Sequence, residues 1–189
     1  VLLVVGDSLS AAYRIPRAAG WVHLLQGRLD AHGYDYRVVN ASIPGDTTAG
    51  GLSRLPAALS RYSPAVVVVE LGGNDGLQGL PLGQMRSNLE RMVSLARKAG
   101  AKVLLVGVRM PPNYGEIYTR KFEAVFRTVA KEENVPLVPE LLAGVAEHRA
   151  LMQSGGLHPV AKAEPKLLDN VWPHLAPLLG KGAGAATGG

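Results

Sequence analysis

The chain has 189 residues, 47% of them hydrophobic, enough for one domain with a substantial core and too few for two of ordinary size. Cysteine is absent, which excludes disulfides, thiolate metal ligands and a cysteine nucleophile. The formal charge of +5 is spread along the sequence and aromatics make up only 5%, so the composition favours a solvated basic surface over a nucleic-acid partner, and no apolar run approaches the roughly 20 residues of a membrane span.

The opening stretch, Val1 to Val5, is a continuous apolar run suited to a strand covered on both faces. It stops on Gly6-Asp7-Ser8-Leu9-Ser10. In open α/β sheets ligands sit at the carboxyl ends of strands, so Ser8 there faces a crevice; the same residues also suit a helix cap, and these ten positions leave both readings open. The chain starts on Val1 without an initiator methionine, so a processed chain is expected, with any targeting segment already removed.

Helical spacing of Trp21, Leu24, Leu25 and Leu29 predicts a helix over 18–32, stopped by Gly33. A strand over 34–40 follows, then the turn Ala41 to Thr48 and a helix carrying Leu52, Leu55, Leu59 and Tyr62. The valine-rich stretch 65–71 reads as a central strand and ends on Gly72-Gly73-Asn74-Asp75-Gly76. Beyond it the periodicity predicts a helix over 84–99, a strand over 102–108, and a helix in which Phe122, Val125, Phe126 and Val129 face inward. A short strand over 135–138, a helix near 140–148, the loop 153–159 and a last helix over 161–179, interrupted by Pro165, Pro173 and Pro177, complete the chain.

Alternation of strand and helix with short joints predicts an α/β fold: a three-layer α/β/α sandwich around a five-stranded parallel sheet, flavodoxin-like, with residues 1–180 as one domain. The Gly- and Ala-rich stretch 181–189 is expected to be a disordered tail.

Three glycine-bearing turns, Gly6-Asp7-Ser8, Pro44-Gly45-Asp46 and Gly72-Gly73-Asn74, belong on one rim of such a sheet. A serine attacking a carbonyl needs hydrogen-bond donors aimed at the oxyanion, and Ser8 N–H, Gly45 N–H and the Asn74 amide supply three candidates. A base is needed too. His158 sits in the loop Gly155-Gly156-Leu157-His158-Pro159, whereas His23, His32, His148 and His174 fall within or at the ends of predicted helices. An isolated histidine is also commonly structural or simply exposed.

The segments Gly6 to Ser10, Asn40 to Thr47, Val69 to Leu77, Pro112 to Gly115, Met152-Gln153 and His158-Pro159 resemble the SGNH (GDSL) family of serine hydrolases, in particular its bacterial thioesterase I, lysophospholipase L1 and arylesterase branch. Glu70 to Leu77 is the most specific part. The resemblance implies Ser8 as nucleophile, His158 as base, and Ser8, Gly45 and Asn74 as the oxyanion hole. It also implies action on acyl esters and thioesters without metal or cofactor, and a periplasmic or secreted location. A monomer acting on a small-molecule substrate is expected.

One position departs from the pattern. The family places an aspartate three residues before the histidine, and here that residue is Gly155. A loop carbonyl or the Ser154 hydroxyl orienting His158, a carboxylate from elsewhere such as Glu164, or an impaired site are the competing accounts. A serine–histidine dyad fits best with the rest of the machinery.

Leu77 and Leu80 in one loop, with Met110, Pro111 and Tyr114 in another, suit an acyl chain better than a sugar, although such residues also pack beneath ordinary loops. A non-catalytic acyl-binding protein and a carbohydrate acetyl esterase are the alternatives. The first turn lacks the G-x-G-x-x-G pattern of a dinucleotide binder.

Overall fold

Five strands alternate with helices along the chain, β1 (Leu2–Gly6), β2 (Val38–Asn40), β3 (Val66–Glu70), β4 (Lys102–Val106) and β5 (Leu137–Val138). The structure, a computed structural model, describes residues 1–180, and the tail expected over 181–189 lies outside the described residues. All neighbouring strands are parallel, in the order β2-β1-β3-β4-β5. The apolar runs of β1 and β3 are buried along their whole length, as expected for central strands covered on both faces.

The helices are α1 (Trp21–Ala31), α2 (Thr48–Tyr62), α3 (Gly73–Leu77), α4 (Leu82–Lys98), α5 (Glu116–Glu133) and α6 (Glu164–Leu175). Helices α2, α4 and α5 pack side by side in one layer and α1 packs with α6 in the other, giving the expected three-layer sandwich. The chain leaves β1 toward β2 on one side and returns to β3 on the other. This reversal opens a crevice at the carboxyl ends of β1 and β3, where Gly6-Asp7-Ser8 and Gly72-Gly73-Asn74 emerge.

Several elements differ from the sequence expectation, each for a local reason. The strand expected from 34 shrinks to Val38–Asn40, because the Gln26 side chain donates to Tyr36 O and accepts from Val38 N–H. The helix expected near 140–148 is a series of turns. Asn170 takes the carbonyls of Leu141 and Ala143 through its Nδ2, at 2.9 and 2.8 Å, and Gly144 adopts φ +75°, so no helical ladder forms. The last helix is broken into a 3-10 turn at Ala161–Ala163, α6, and a second 3-10 turn at Ala176–Leu178, with Pro165 and Pro177 near the starts of their helical segments. Helix α3 was not expected.

Candidate active site

The first turn is built by the backbone around Asp7. Its carbonyl accepts the amides of Ser10 and Ala11, and its Oδ1 accepts Leu9 N–H at 3.0 Å. Ser8 is thereby lifted off the sheet edge, and its Oγ lies 2.9 Å from His158 Nε2 across 150 residues of sequence. The capping reading of Asp7 and Ser8 gives way to this contact. No α-helix follows until Trp21.

His158 is presented by a closed loop. An antiparallel bridge pairs Met152 with Pro159, Val160 N–H donates to Leu151 O, and Gln153 N–H donates to His158 O at 2.7 Å. The Gln153 side chain donates from Nε2 to Pro159 O and to Tyr13 O, tying this loop to the segment after the nucleophile. The Tyr13 ring lies against the imidazole with centroids 4.4 Å apart. Burial lowers the imidazole pKa from its ordinary value and the Arg14 charge adds to this, so the ring is neutral at neutral pH. With Nε2 as acceptor from Ser8, the proton resides on Nδ1.

Among the described residues nothing hydrogen-bonds Nδ1. Glu164, considered from the sequence as a distant carboxylate for this ring, instead accepts Trp21 N–H through Oε2 at 3.0 Å and secures the start of α1. Neither Ser154 nor a loop carbonyl bonds the imidazole. A Cβ on Gly155 would meet no atom within 4 Å.

The other two turns are joined by side chains. Asn74, in α3, donates from Nδ2 to Asp46 O at 2.9 Å, and Arg54 bonds Asp46 Oδ2, Ala41 O and Gly6 O. Gly45 adopts φ +82°, a conformation that favours glycine, and Ile43 N–H donates to Gly6 O. The turn is thus anchored to the end of β1. Among the described residues the amides of Ser8 and Gly45 make no hydrogen bond, and the second N–H of the Asn74 amide is also uncommitted. Asp75, beside Asn74, accepts both Thr48 N–H and Thr48 Oγ1–H, and Asn88 Nδ2 donates to the same hydroxyl. This buried network fixes α3 against α2 and α4.

A cavity of about 580 Å³ opens beside Ser8 and His158. Leu77, Met110 and Pro111, three of the five candidates for acyl contact, line it, and so does Asn74. Leu80 and Tyr114 do not. The Leu80 amide bonds Asp75 O, closing the turn after α3 and leaving its side chain 37% exposed outside the cavity. Tyr114 donates its hydroxyl to Leu77 O at 3.0 Å and supports the lining from behind. Leu142, Met152 and Leu157 add to the apolar wall, while Asp7, Arg109, Glu116, Glu140 and Glu147 bring carboxylate and guanidinium groups to it. Tyr13 carried no sequence signal for its position against His158, and Gln153, part of a segment that carries the family resemblance, carried none for its bonds to Tyr13 and Pro159. No group of three or more His, Asp or Glu among the described residues gathers as metal ligands.

Residues 4–164 match the model of the GDSL-like Lipase/Acylhydrolase family. The chain is 57% identical over 178 residues to Esterase TesA of Pseudomonas aeruginosa, covering 94% of this chain and 89% of that protein. It is 42% identical to Thioesterase 1/protease 1/lysophospholipase L1 of Escherichia coli (strain K12), over 94% of this chain and 84% of that protein. The structure of psychrotrophic esterase EstA from Pseudoalteromonas sp., inhibited by monoethylphosphonate, superposes with a TM-score of 0.88 at 39% identity, over 93% of this chain and 96% of that one. With its parallel sheet, its serine at the end of β1 and these similarities, the chain belongs to the GDSL-like lipase/acylhydrolase family of serine hydrolases.

Proposed function

We propose that this enzyme hydrolyses carboxylic esters and thioesters of extended acyl chains, with Ser8 as nucleophile and His158 as its base. The observation that carries this reading is the 2.9 Å contact between Ser8 Oγ and His158 Nε2 at the mouth of a largely apolar cavity. His158 takes the hydroxyl proton as Ser8 attacks the acyl carbon, and the carbonyl oxygen gathers negative charge. The Ser8, Gly45 and Asn74 donors stabilise that charge, each worth about 3 kcal/mol of barrier in comparable sites. The imidazolium then protonates the leaving alcohol or thiol, an acyl-Ser8 ester remains, and water hydrolyses it under the same base.

Leu77, Met110, Pro111 and Leu142 favour an acyl chain over a carbohydrate substrate. The names of the relatives, an esterase and a thioesterase/lysophospholipase, agree with that class. Because Nδ1 has no protein acceptor among the described residues, the working unit is a serine–histidine dyad whose ring is held by Tyr13 and the Gln153 clamp. Residues 1–180 act as one catalytic domain, monomeric and exported to the periplasm, which light scattering and cell fractionation test.

The experiment for the reaction pairs a fluorophosphonate probe with p-nitrophenyl esters from acetyl to octanoyl. Wild-type labelling that disappears in Ser8→Ala, with kcat/KM rising along the acyl series, is expected. Absence of labelling would indicate a binding protein. A flat series would indicate an acetyl esterase.

A further inference from the structure

The reaction leaves two buried acids unused. In the β1–β3 register Gly6 pairs with Glu70, and the missing side chain at Gly6 makes the space that Glu70 and Ser10 occupy. A Cβ there would lie 2.9 Å from Ser10 Oγ and 3.0 Å from Glu70 Oε1. Glu70 is wholly buried and Asp7 nearly so. Ser10 Oγ donates to Glu70 Oε1 at 2.6 Å, while Glu70 Oε2 is buried and finds no donor.

The Asp7 carboxyl follows Gly6 at the end of β1, beside Glu70 at the end of β3, and the charge of each bears on the titration of the other. Two carboxylates have only acceptors to offer each other, so a bond between them requires that one keep its proton. Burial drives Glu70 well above the usual carboxylate range and the Asp7 charge adds to that; burial raises Asp7 to about 6. Protonation would turn the orphaned Oε2 into a donor, with the Asp7 carboxylate as the neighbouring acceptor. The other charged groups facing the pair are Asp46, which raises Asp7 further, Arg54, which is committed to Asp46 and the Gly6 carbonyl, and His158 across Ser8.

We propose that Glu70 is a positioning residue for the nucleophile: a carboxylic acid that donates to Asp7 and accepts from Ser10, holding the turn on both sides of Ser8. The proposal rests on Ser8 being the nucleophile. Asp7 in turn accepts Leu9 N–H, so the Ser8 amide and hydroxyl are carried by a loop fixed at positions 7, 9 and 10. Retaining the proton also leaves one negative charge, not two, beneath the point where the oxyanion forms.

Infrared spectroscopy and kinetics on the full chain test this together. With Glu164, the other buried acid raised to near neutrality, replaced by Gln in every protein compared, the otherwise wild-type chain at neutral pH is expected to show the carbonyl stretch of a buried carboxylic acid, and Glu70→Gln to lack it. In Asp7→Asn that band titrates at lower pH, because the neighbouring charge is gone. Glu70→Ala lowers kcat about ten- to hundredfold with little change in KM, as for a lost hydrogen bond to a charged group. Glu70→Gln, which keeps a donor and an acceptor, recovers most of that loss and removes the alkaline decline of kcat that ionisation of Glu70 produces in wild type. An acid band that survives in Glu70→Gln, a Gln variant as slow as the Ala variant, or an unchanged alkaline limb would overturn the proposal. The infrared result does not depend on which residue is acylated, so failure of Ser8 as nucleophile would appear separately, as turnover that persists in Ser8→Ala.

Discussion

At the scale of single residues, the candidate base is an imidazole held without a carboxylate among the described residues. His158 is neutral because burial disfavours its charged form, and its Nδ1–H has no protein acceptor among the described residues to stabilise the imidazolium formed during attack. The acid limb of kcat/KM is therefore expected below the usual imidazole range. Gly155→Asp adds a carboxylate where the structure leaves open space. A nearby negative charge favours the imidazolium, so this variant moves the acid limb to higher pH and raises kcat by about tenfold or more, since a missing triad carboxylate costs up to about ten-thousandfold elsewhere. A pH–rate profile of both proteins checks this; an unchanged limb would show that the new carboxylate does not reach the ring. In the sequence, strand-end glycines and a loop position marked Ser8 and His158 as candidates, and the family resemblance gave them their expected roles. The contacts of Tyr13 and Gln153 were not legible there, because they exist only once residues 13 and 153 meet.

At the scale of elements, the site depends on segments whose form is imposed by tertiary contacts. Helix α3 begins Gly73-Asn74-Asp75-Gly76, a composition with poor helix propensity, and it forms because Thr48 satisfies Asp75 and Tyr118 donates to Gly76 O. The opposite case is 140–148, where a helix was expected and Asn170 claimed the carbonyls of Leu141 and Ala143. In the catalytic loop, Gln153→Ala removes both donations from its side chain, to Tyr13 O and Pro159 O. We expect kcat to fall about tenfold with KM little changed, because the loss falls on orientation of the base and not on the cavity; a KM effect alone would contradict this. Glu164 gives a prediction about stability. Burial raises its pKa from the ordinary value to about 7 in the folded chain, so the unfolded chain gives up this proton at lower pH than the folded one. Its contribution is complete below the ordinary carboxylate pKa and is lost as pH rises through about 7. Thermal melts of Glu164→Gln should flatten that decline in Tm, and a parallel decline in both proteins would assign it to other groups.

At the scale of the whole molecule, the sheet order does the assembling. The valine-rich runs of β1 and β3 identified the two central strands from sequence, and their adjacency at the chain reversal sets Ser8 and Asn74 on either side of one crevice. The cavity wall was less legible: of the five residues singled out for it, Leu77, Met110 and Pro111 line it and Leu80 and Tyr114 fall outside it, while Leu142 and Leu157 reach it from a segment expected to be helical and from the loop marked only for its histidine. Narrowing this wall, as in Leu142→Trp, should lower kcat/KM for octanoyl esters more than for acetyl esters, whereas an equal loss on both would move the acyl site elsewhere. The central claim is that the fold brings residues 8 and 158 together to form an acyl-serine. Mass spectrometry of enzyme quenched during turnover of an octanoyl ester tests it most directly. The acyl mass is predicted on the peptide carrying Ser8, accumulating less in His158→Ala; an adduct on another residue, or undiminished turnover by Ser8→Ala, would contradict it.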